Sequence, residues 1–256
     1  MVCAADVARR NGDANSARAY LKSADEWAAK VERWTATTNG PLGDGHYYLR
    51  ITENDNPNDG AKIEVNSGGG IYDEREIVDA GFLELVRLGI RRADDPLIKK
   101  SLAIVDQLIK VETPTGAAWY RYNHDAYGER SDGKAYDGRT GVGRLWTLLT
   151  GERGEYELAL GDKALARKHL NTLMTFANDG RLIPEQVWDR EVAGFHFGSG
   201  TGSATPLAWS MAQFIRLAMN IKHGRNLETP AVVATRYLKR SSPRGSNSRW
   251  NSVNQK

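Results

Sequence analysis

One pattern occurs three times along this chain: an amphipathic helix, a long loop rich in aromatic and charged residues, and a helix of smaller or more apolar residues. The loops carry aromatic clusters near His46, Trp119 and Pro184, so the repeat has a period of about 65–75 residues. Helix pairs that bury their apolar faces against their neighbours can close into an α/α toroid, and the long loops then emerge on one side. An α-solenoid with functionless loops is the alternative, although solenoid repeats seldom carry loops of about 20–35 residues.

Apolar residues at helical spacing define the first helix of each unit. Pro96 lies in the first turn of the second of these helices, which is a start signal. The three patterns run over 17–34, 97–109 and 165–176. The helices that follow the loops are predicted at roughly 76–91, 141–150 and 203–221. The sequence therefore predicts a wholly helical structure whose loops, about 40–75, 113–140 and 180–202, lie on one face.

The segment Pro184-Glu185-Gln186-Val187-Trp188 holds a carboxylate between a proline and a tryptophan, just before a glycine-broken loop. Proline restricts the backbone ahead of Glu185, and a neighbouring aromatic ring can shield a carboxylate and shift its pKa. A held carboxylate beside an aromatic wall is what a general base in a sugar-cleaving site requires. A loop glutamate that pairs with Arg181 or Arg190 is the alternative.

The segment 184–188, together with the helix 78–89 and the run 143–157, closely resembles glycoside hydrolase family 15, the glucoamylases and glucodextranases. The matching blocks extend from about Ala4 to Tyr237. The resemblance implies an all-α (α/α)6 toroid of the six-hairpin glycosidase type. It also implies that Glu185 is the general base of an inverting exo-acting α-glucosidase, which releases glucose from the non-reducing ends of α-glucans. A preference for α-1,4 or α-1,6 bonds, or trehalose hydrolysis, is left open.

The same resemblance points to Arg121 and Asp125 as a pair that binds sugar hydroxyls. A planar guanidinium offers several fixed donors and a carboxylate accepts, so the pair matches vicinal diols. A structural ion pair on the surface is the alternative. Four aromatic residues are candidates for contacts with sugar rings, with core packing as the alternative for each of them: Trp119, Tyr120, Trp146 and Trp188.

In the family the general acid lies in a Leu-Trp-Glu-Glu type segment, just before the helix with which this chain opens. Such a segment is absent from the sequence. The resemblance therefore implies the C-terminal two thirds of the catalytic domain, 1–238, in an incomplete ring with the base and without the acid. A second hypothesis is a non-catalytic chain that at most binds sugar, or that completes its ring with another chain. Exposed apolar edges would then favour self-association.

Charge gives little evidence for other partners. The net charge is +3, but 239–256 contains five basic and no acidic residues, so the remainder is slightly acidic. A basic tail can bind nucleic acid; a disordered end is the preferred interpretation. The body has no basic stripe, and no run approaches the length of a membrane span. We expect neither a nucleic acid nor a membrane partner, and the compartment stays open.

No cofactor or metal is predicted. The five histidines do not fall into metal-ligand spacing, and Cys3 is the single cysteine. The acidic stretch 53–59 lacks the spacing of an EF-hand and is interpreted as a turn rather than a calcium loop. A dense charged run that includes Glu152, Glu155 and Glu157 is assigned a structural role at a helix end.

Overall fold

The computed structural model describes residues 1–192 and 194–238. The basic tail predicted at 239–256 lies outside the described residues. The helices are α1 (Val2–Arg10), α2 (Ala14–Ala28), α3 (Val31–Thr35), α4 (Leu83–Arg87), α5 (Pro96–Ile109), α6 (Thr147–Leu160), α7 (Lys163–Thr175), α8 (Ala208–His223) and α9 (Ala231–Tyr237). The strands are β1 (Ala36–Thr37), β2 (Tyr47–Tyr48), β3 (Lys62–Val65), β4 (Gly70–Asp73), β5 (Lys110–Thr113), β6 (Gly116–Tyr120), β7 (Leu145–Trp146) and β8 (Gln186–Val187).

Local signals set the ends of the amphipathic helices α5 and α7. The Asp95 carboxylate accepts a hydrogen bond from the Leu97 backbone N–H at 2.9 Å, directly before the proline that opens α5. Asp162 caps α7 in the same way, with a distance of 2.8 Å to the Leu165 N–H. A side-chain oxygen at this position satisfies a backbone donor that has no partner within the helix. Both helices therefore begin within two residues of the predicted starts.

The helices α6 and α8 approach closely because two glycines of α6 face α8. A Cβ atom on Gly151 would lie 2.4 Å from the Gln213 side chain, and one on Gly154 would lie 2.6 Å from the Leu217 side chain. Gln213 and Leu217 are both buried. A larger residue at either glycine would force the two helices apart, since packed interiors leave no free volume of that size. This contact sets α8, and the loop before it, against α6.

The prediction of a wholly helical structure is wrong in one respect: three small antiparallel sheets occur among the described residues. The largest has the order β5-β6-β7-β8, and its strands contain two to five residues. Strands β6 and β8 lie within predicted loops, whereas β5 precedes the second loop and β7 lies in a predicted helix. Short aromatic and β-branched stretches there find distant partners for their backbone groups. The helices still form the main layers, with the largest apolar cluster between α4, α5 and the segment 47–49.

The helices after the loops are shorter or start later than predicted. Only Leu83–Arg87 of the interval 76–91 is α-helical. The interval 141–150 contains strand β7, and its helix begins at Thr147. The last one begins at Ala208 rather than at 203, because Pro206 lies within the first turn of that interval and cannot continue a helical hydrogen-bond pattern. In each case backbone pairing or a turn replaces the first helical turns.

The three long loops contact one another. The Asn123 side chain, in the second loop, accepts a hydrogen bond from the Val78 N–H at 2.8 Å and donates one to the Glu76 carbonyl at 2.7 Å. The rings of Tyr72 and His124 stack at 4.1 Å. The third loop joins the second through the Gln186 side chain, which donates to the Tyr127 carbonyl at 3.1 Å. The loops therefore meet, as the repeat predicted.

The ends of the described chain pack against each other. Val2 of α1, Ala24 of α2 and Val233 of α9 form one buried cluster. An incomplete ring is expected to expose the apolar residues Val2, Ala4, Ala5 and Val7 of the opening helix. This expectation is wrong for Val2 and Ala5, which are buried, whereas Ala4 and Val7 are exposed. None of the described helices has both the length and the apolar character needed to cross a bilayer.

The charged run of α6 serves the packing of helices. Glu155 accepts hydrogen bonds from Arg216 at 2.7 and 2.9 Å and from Asn220 at 3.0 Å. Glu157 accepts one from Arg153 at 2.8 Å. These contacts agree with the structural role assigned from sequence. Glu152 differs, because burial, followed by the charge of Glu84, raises its pKa to about 7.

Glu152→Gln should make the chain more stable above neutral pH. In the unfolded chain Glu152 ionises with its ordinary pKa of 4.5, whereas in the native state its pKa is about 7. The free energy of unfolding therefore falls as the pH rises from 4.5 to 7, and the loss stays constant above 7. We expect equal unfolding free energies for variant and parent at pH 4, and an advantage of about 2–3 kcal/mol for the variant at pH 8. Urea titrations at both pH values measure this. An advantage that does not change with pH, or one shared by the exposed Glu64→Gln, would contradict it.

Candidate active site

The sheet β5-β6-β7-β8 brings together three segments that lie far apart in the sequence. Tyr120 pairs with Leu145, and Leu145 pairs with Val187. Arg121 therefore directly follows the strand on one side of β7, and Glu185 directly precedes the strand on the other side. Backbone hydrogen bonds between strands fix these positions with little freedom. The sheet is the frame of the candidate site.

The backbone of the segment around Glu185 is fixed on both sides. The Glu185 N–H donates to the Ala204 carbonyl at 2.9 Å, and the Glu185 carbonyl accepts from the Thr147 N–H at 3.3 Å. The carbonyl of Pro184 accepts from the hydroxyls of Thr147 at 2.7 Å and Ser210 at 3.1 Å. These buried hydroxyls tie the residue before Glu185 to the first turns of α6 and α8. The carboxylate is thus carried by a rigid support.

Glu185 is 8% exposed. Burial raises the pKa of its carboxyl group, the Tyr127 hydroxyl and the Arg121 guanidinium act in the opposite direction, and the charge of Glu129 raises it again. The net shift is upward, toward the working range of a general base near neutral pH. The carboxylate can therefore take a proton from water and is held among groups that control its basicity.

Arg121 and Asp125 form a bidentate ion pair. The Arg121 Nε and Nη2 atoms donate to the two Asp125 carboxylate oxygens, each at 2.9 Å. The side chain of Asp125 is 1% exposed, whereas that of Arg121 is 32% exposed. Asp125 also accepts from the Tyr127 N–H at 3.0 Å. The buried carboxylate holds the guanidinium in one orientation while part of it stays accessible to a ligand.

Aromatic rings line the space beside this pair. The Arg121 guanidinium carbon lies 5.1 Å from the Trp146 ring centre and 5.3 Å from that of Tyr127. Trp209 approaches Trp146 with 6.5 Å between ring centres, and Trp209 is 57% exposed. Trp146, which the sequence placed either at a pocket floor or in the core, is thus buried and borders the candidate site.

The structure places three of the predicted sugar-contacting residues elsewhere. The Trp119 indole N–H donates to Asp106 at 3.0 Å within the core, and the Tyr120 hydroxyl donates to Asp189 at 2.7 Å. The Trp188 ring contacts the Arg144 guanidinium at 4.5 Å and the Phe195 ring at 4.7 Å. Within the described residues, none of the three forms a hydrogen bond or ring contact with Arg121 or Glu185. Their contacts favour the packing alternative.

The structure adds residues that the sequence analysis did not select. Tyr127 and Glu129 surround Glu185 electrostatically, and Arg144 supports the sheet from the buried side. Arg144 donates to Asp189 at 2.5 Å and to the carbonyls of Glu129 and Arg130 at 3.0 and 2.8 Å. The one available signal was position: Tyr127 and Glu129 flank a glycine in the second predicted loop, and Arg144 lies two residues before Trp146 in a predicted helix.

Metal chemistry finds no support in the described part of the chain. It contains no group of three or more histidine, cysteine, aspartate or glutamate side chains that could hold a metal ion. In the acidic stretch 53–59, side chains cap the local backbone instead; for example, the Asn56 N–H donates to Asn54 at 2.7 Å.

A buried carboxylate of raised pKa beside an ion pair and aromatic rings is the type of arrangement that glycoside hydrolases use, and comparison with known proteins assigns the chain to such a family. The family model described as glycosyl hydrolases family 15 matches residues 1–219, and the chain belongs to this family. A glucoamylase from Clostridium sp. (strain G0005) is 47% identical over 93% of this chain. The chain spans 33% of that relative's length.

Solved structures agree with this assignment. A bacterial glucoamylase complexed with acarbose matches 93% of this chain and 34% of its own, with a TM-score of 0.87 and 46% sequence identity. A wild-type glycosidase matches 90% of this chain and 50% of its own, with a TM-score of 0.54 and 20% identity, which shows likeness of fold alone. The predicted fold class, the (α/α)6 toroid, is thereby confirmed.

Proposed function

We propose that this chain carries the base side of the active site of an inverting exo-acting α-glucosidase of glucoamylase or glucodextranase type. The observation that carries the proposal is the buried Glu185, fixed at the edge of a sheet with an upward-shifted pKa. Arg121 and Asp125 are oriented toward the same space as Trp146. The relationship to glucoamylases supports an α-glucan as the substrate.

In the proposed reaction, Glu185 takes a proton from a water molecule. The water oxygen attacks the anomeric carbon from the face opposite the leaving group, and the bond from that carbon to the glycosidic oxygen breaks. A general acid donates its proton to the departing oxygen. Such a pair of carboxyl groups stands about 6.5–9.5 Å apart, which leaves room for the water, and the configuration inverts.

Arg121 and Asp125 are proposed to bind the hydroxyl groups of the terminal sugar. Trp146 is proposed to lie beside this sugar. The buried Asp125 keeps the guanidinium in place before substrate arrives, so little conformational freedom is lost on binding. The exposed Trp209 provides an aromatic surface near Trp146 for a further sugar unit. The relative solved with acarbose supports an oligosaccharide-like ligand for this region.

The general acid is proposed to come from a segment outside these 256 residues. The chain spans about a third of the length of its glucoamylase relatives, and the family resemblance places the acid ahead of the opening helix. The second candidate function is binding of sugar without catalysis, in a chain whose ring is completed by another segment. One observation favours it: Trp209, Ile215 and Met219 leave an exposed apolar face on α8.

The product anomer tests the proposed function. This chain is assayed alone and fused behind the part of the Clostridium glucoamylase that it does not match, on maltose, isomaltose and trehalose. We expect the fused enzyme to release β-glucose at first, as seen by proton NMR, because inversion converts an α-linkage into a β-product. The chain alone should release none above background, since no acid assists departure of the leaving group.

Two outcomes oppose this expectation in different ways. Initial release by the fused enzyme, as the α-anomer, of the glucose whose anomeric carbon is attacked would exclude an inverting mechanism. The departing glucose keeps its own anomeric configuration and does not count. Robust release of β-glucose by the chain alone would show that an acid lies within it, with Glu53, Asp55, Glu64 or Asp137 as candidates. Light scattering on the same sample separates a monomer from the self-associated form that the α8 face favours.

A further inference from the structure

Glu129 is a buried carboxylate with no role in the reaction described so far. It is 6% exposed, and its Oε2 atom accepts no hydrogen bond from any described residue. Leaving a buried carboxylate oxygen without a donor is costly. Groups of this kind in native proteins call for an explanation, and proximity to an active site is one.

The backbone around Glu129 is locked to the strand that carries the base. Gly128 has a φ of 152°, and a Cβ atom there would lie 2.5 Å from the Val142 carbonyl and 2.8 Å from the Arg144 side chain. The Gln186 side chain donates to the Tyr127 carbonyl at 3.1 Å. Arg144 donates to the Glu129 carbonyl at 3.0 Å. The residues on both sides of Gly128 thus have fixed positions relative to Glu185.

The side chain of Glu129 lies against the loop that holds Glu185 from the other side. Its Oε1 atom is 3.3 Å from the position of a Cβ atom on Gly202. Two residues later in that loop, the Ala204 carbonyl accepts the Glu185 N–H at 2.9 Å. The two carboxylates are therefore supported by the same short segment. The charge of Glu129 acts on Glu185 and raises its pKa, after burial as the larger cause.

We propose that Glu129 is a positioning residue of the hydrolytic site: its buried carboxylate, which lies against Gly202 in the loop that also holds the Glu185 backbone, keeps a second negative charge beside Glu185. That charge favours transfer of a proton from water to Glu185. Burial of the pair increases this effect, because charges interact more strongly where water is excluded. Tyr127 and Arg121 counterbalance it from the ligand side. This role of Glu129 rests on the proposed function of Glu185 as the base.

The test follows the ionisation of Glu185 in the 256-residue chain. Glutamate carboxyl carbons are labelled with ¹³C, the Glu185 signal is assigned by its loss in Glu185→Gln, and its chemical shift is followed against pH. We expect Glu129→Gln to move the Glu185 midpoint to lower pH, because the neighbouring negative charge is removed. Glu129→Asp, which keeps the charge, should stay closer to the parent. The exposed Glu112→Gln is the control for an equal change in net charge.

A Glu185 midpoint that moves no further in Glu129→Gln than in Glu112→Gln would overturn the proposal. The same holds if Glu129→Asp moves it as far as Glu129→Gln, since the charge would then be irrelevant. If Glu129→Gln does not give the native circular dichroism spectrum, the comparison of Glu129→Asp with the parent decides the question. A Glu185 midpoint in Glu129→Asp equal to that of the parent supports a charge effect, and a midpoint displaced from that of the parent contradicts it. Failure of the proposed function is distinct, because it would appear as full turnover in Glu185→Gln of the fused enzyme.

Discussion

Glu185→Gln in the fused enzyme should lower kcat by about 10²- to 10⁴-fold, the usual contribution of a general base. The amide has the shape of the carboxylate but cannot accept the proton of the attacking water. KM should change little, because Arg121, Asp125 and the aromatic rings that bind the sugar are intact, so the loss falls on the chemical step. Steady-state kinetics on maltose measure both constants.

The matched control is Glu191→Gln, a glutamate on the same loop that is exposed, with 70% of its side chain accessible. Its kcat should stay within about twofold of the parent, since surface substitutions away from the site have small effects. A kcat for Glu185→Gln close to that of the control would remove Glu185 from the role of base. A loss confined to KM would instead assign Glu185 to substrate binding.

Arg144→Met should lower the free energy of unfolding of this chain by about 3–5 kcal/mol, the typical cost of removing one partner of a buried ion pair. Arg144 is fully buried and bonds to Asp189, whose side chain is 4% exposed. Its loss would leave the Asp189 carboxylate poorly compensated and would remove one of the donors of each of two loop carbonyls. The Trp188 ring would also lose its cation contact. Urea unfolding followed by tryptophan fluorescence gives the free energy.

The chain provides its own control for this experiment. Arg190 pairs with the same Asp189, at 3.4 Å, but 56% of its side chain is exposed. Arg190→Ala should cost less than about 1 kcal/mol, because solvent screens exposed pairs. Equal losses in Arg144→Met and Arg190→Ala would show that burial of the Arg144 pair does not stabilise the sheet.

The two variants test different roles: Glu185→Gln tests the chemical step, and Arg144→Met tests the stability of the sheet that carries Glu185. Arg144 donates to the carbonyls of Glu129 and Arg130. It also donates to Asp189, which accepts the Tyr120 hydroxyl. It therefore stabilises the frame on which Glu185 is mounted. The carboxyl group of Glu185 does not stabilise the fold when it is ionised, because burial shifts its pKa upward and a buried ionised acid lowers the free energy of unfolding.

Local sequence determined those features that depend on neighbouring residues. Asp95-Pro96 and Asp162 start helices wherever an apolar period follows, because the capping bond forms within one turn. The pairing of Arg121 with Asp125 was predictable too, since it needs a single turn of chain. The identity of Glu185 followed from its setting between Pro184 and Trp188 and from the resemblance that this segment carries.

Tertiary structure alone decided which side chains surround Glu185. The pairing of 120 with 145 and of 145 with 187 joins segments that are distant in sequence, and no local propensity specifies such partners. Tyr127 and Glu129 reach the site because Gly128 packs against Arg144 and Val142. Trp188, close to Glu185 in the sequence, is instead held by Arg144 and Phe195. A sequence marks which loops carry chemistry; the burial of backbone and charge upon folding selects the residues that face one another.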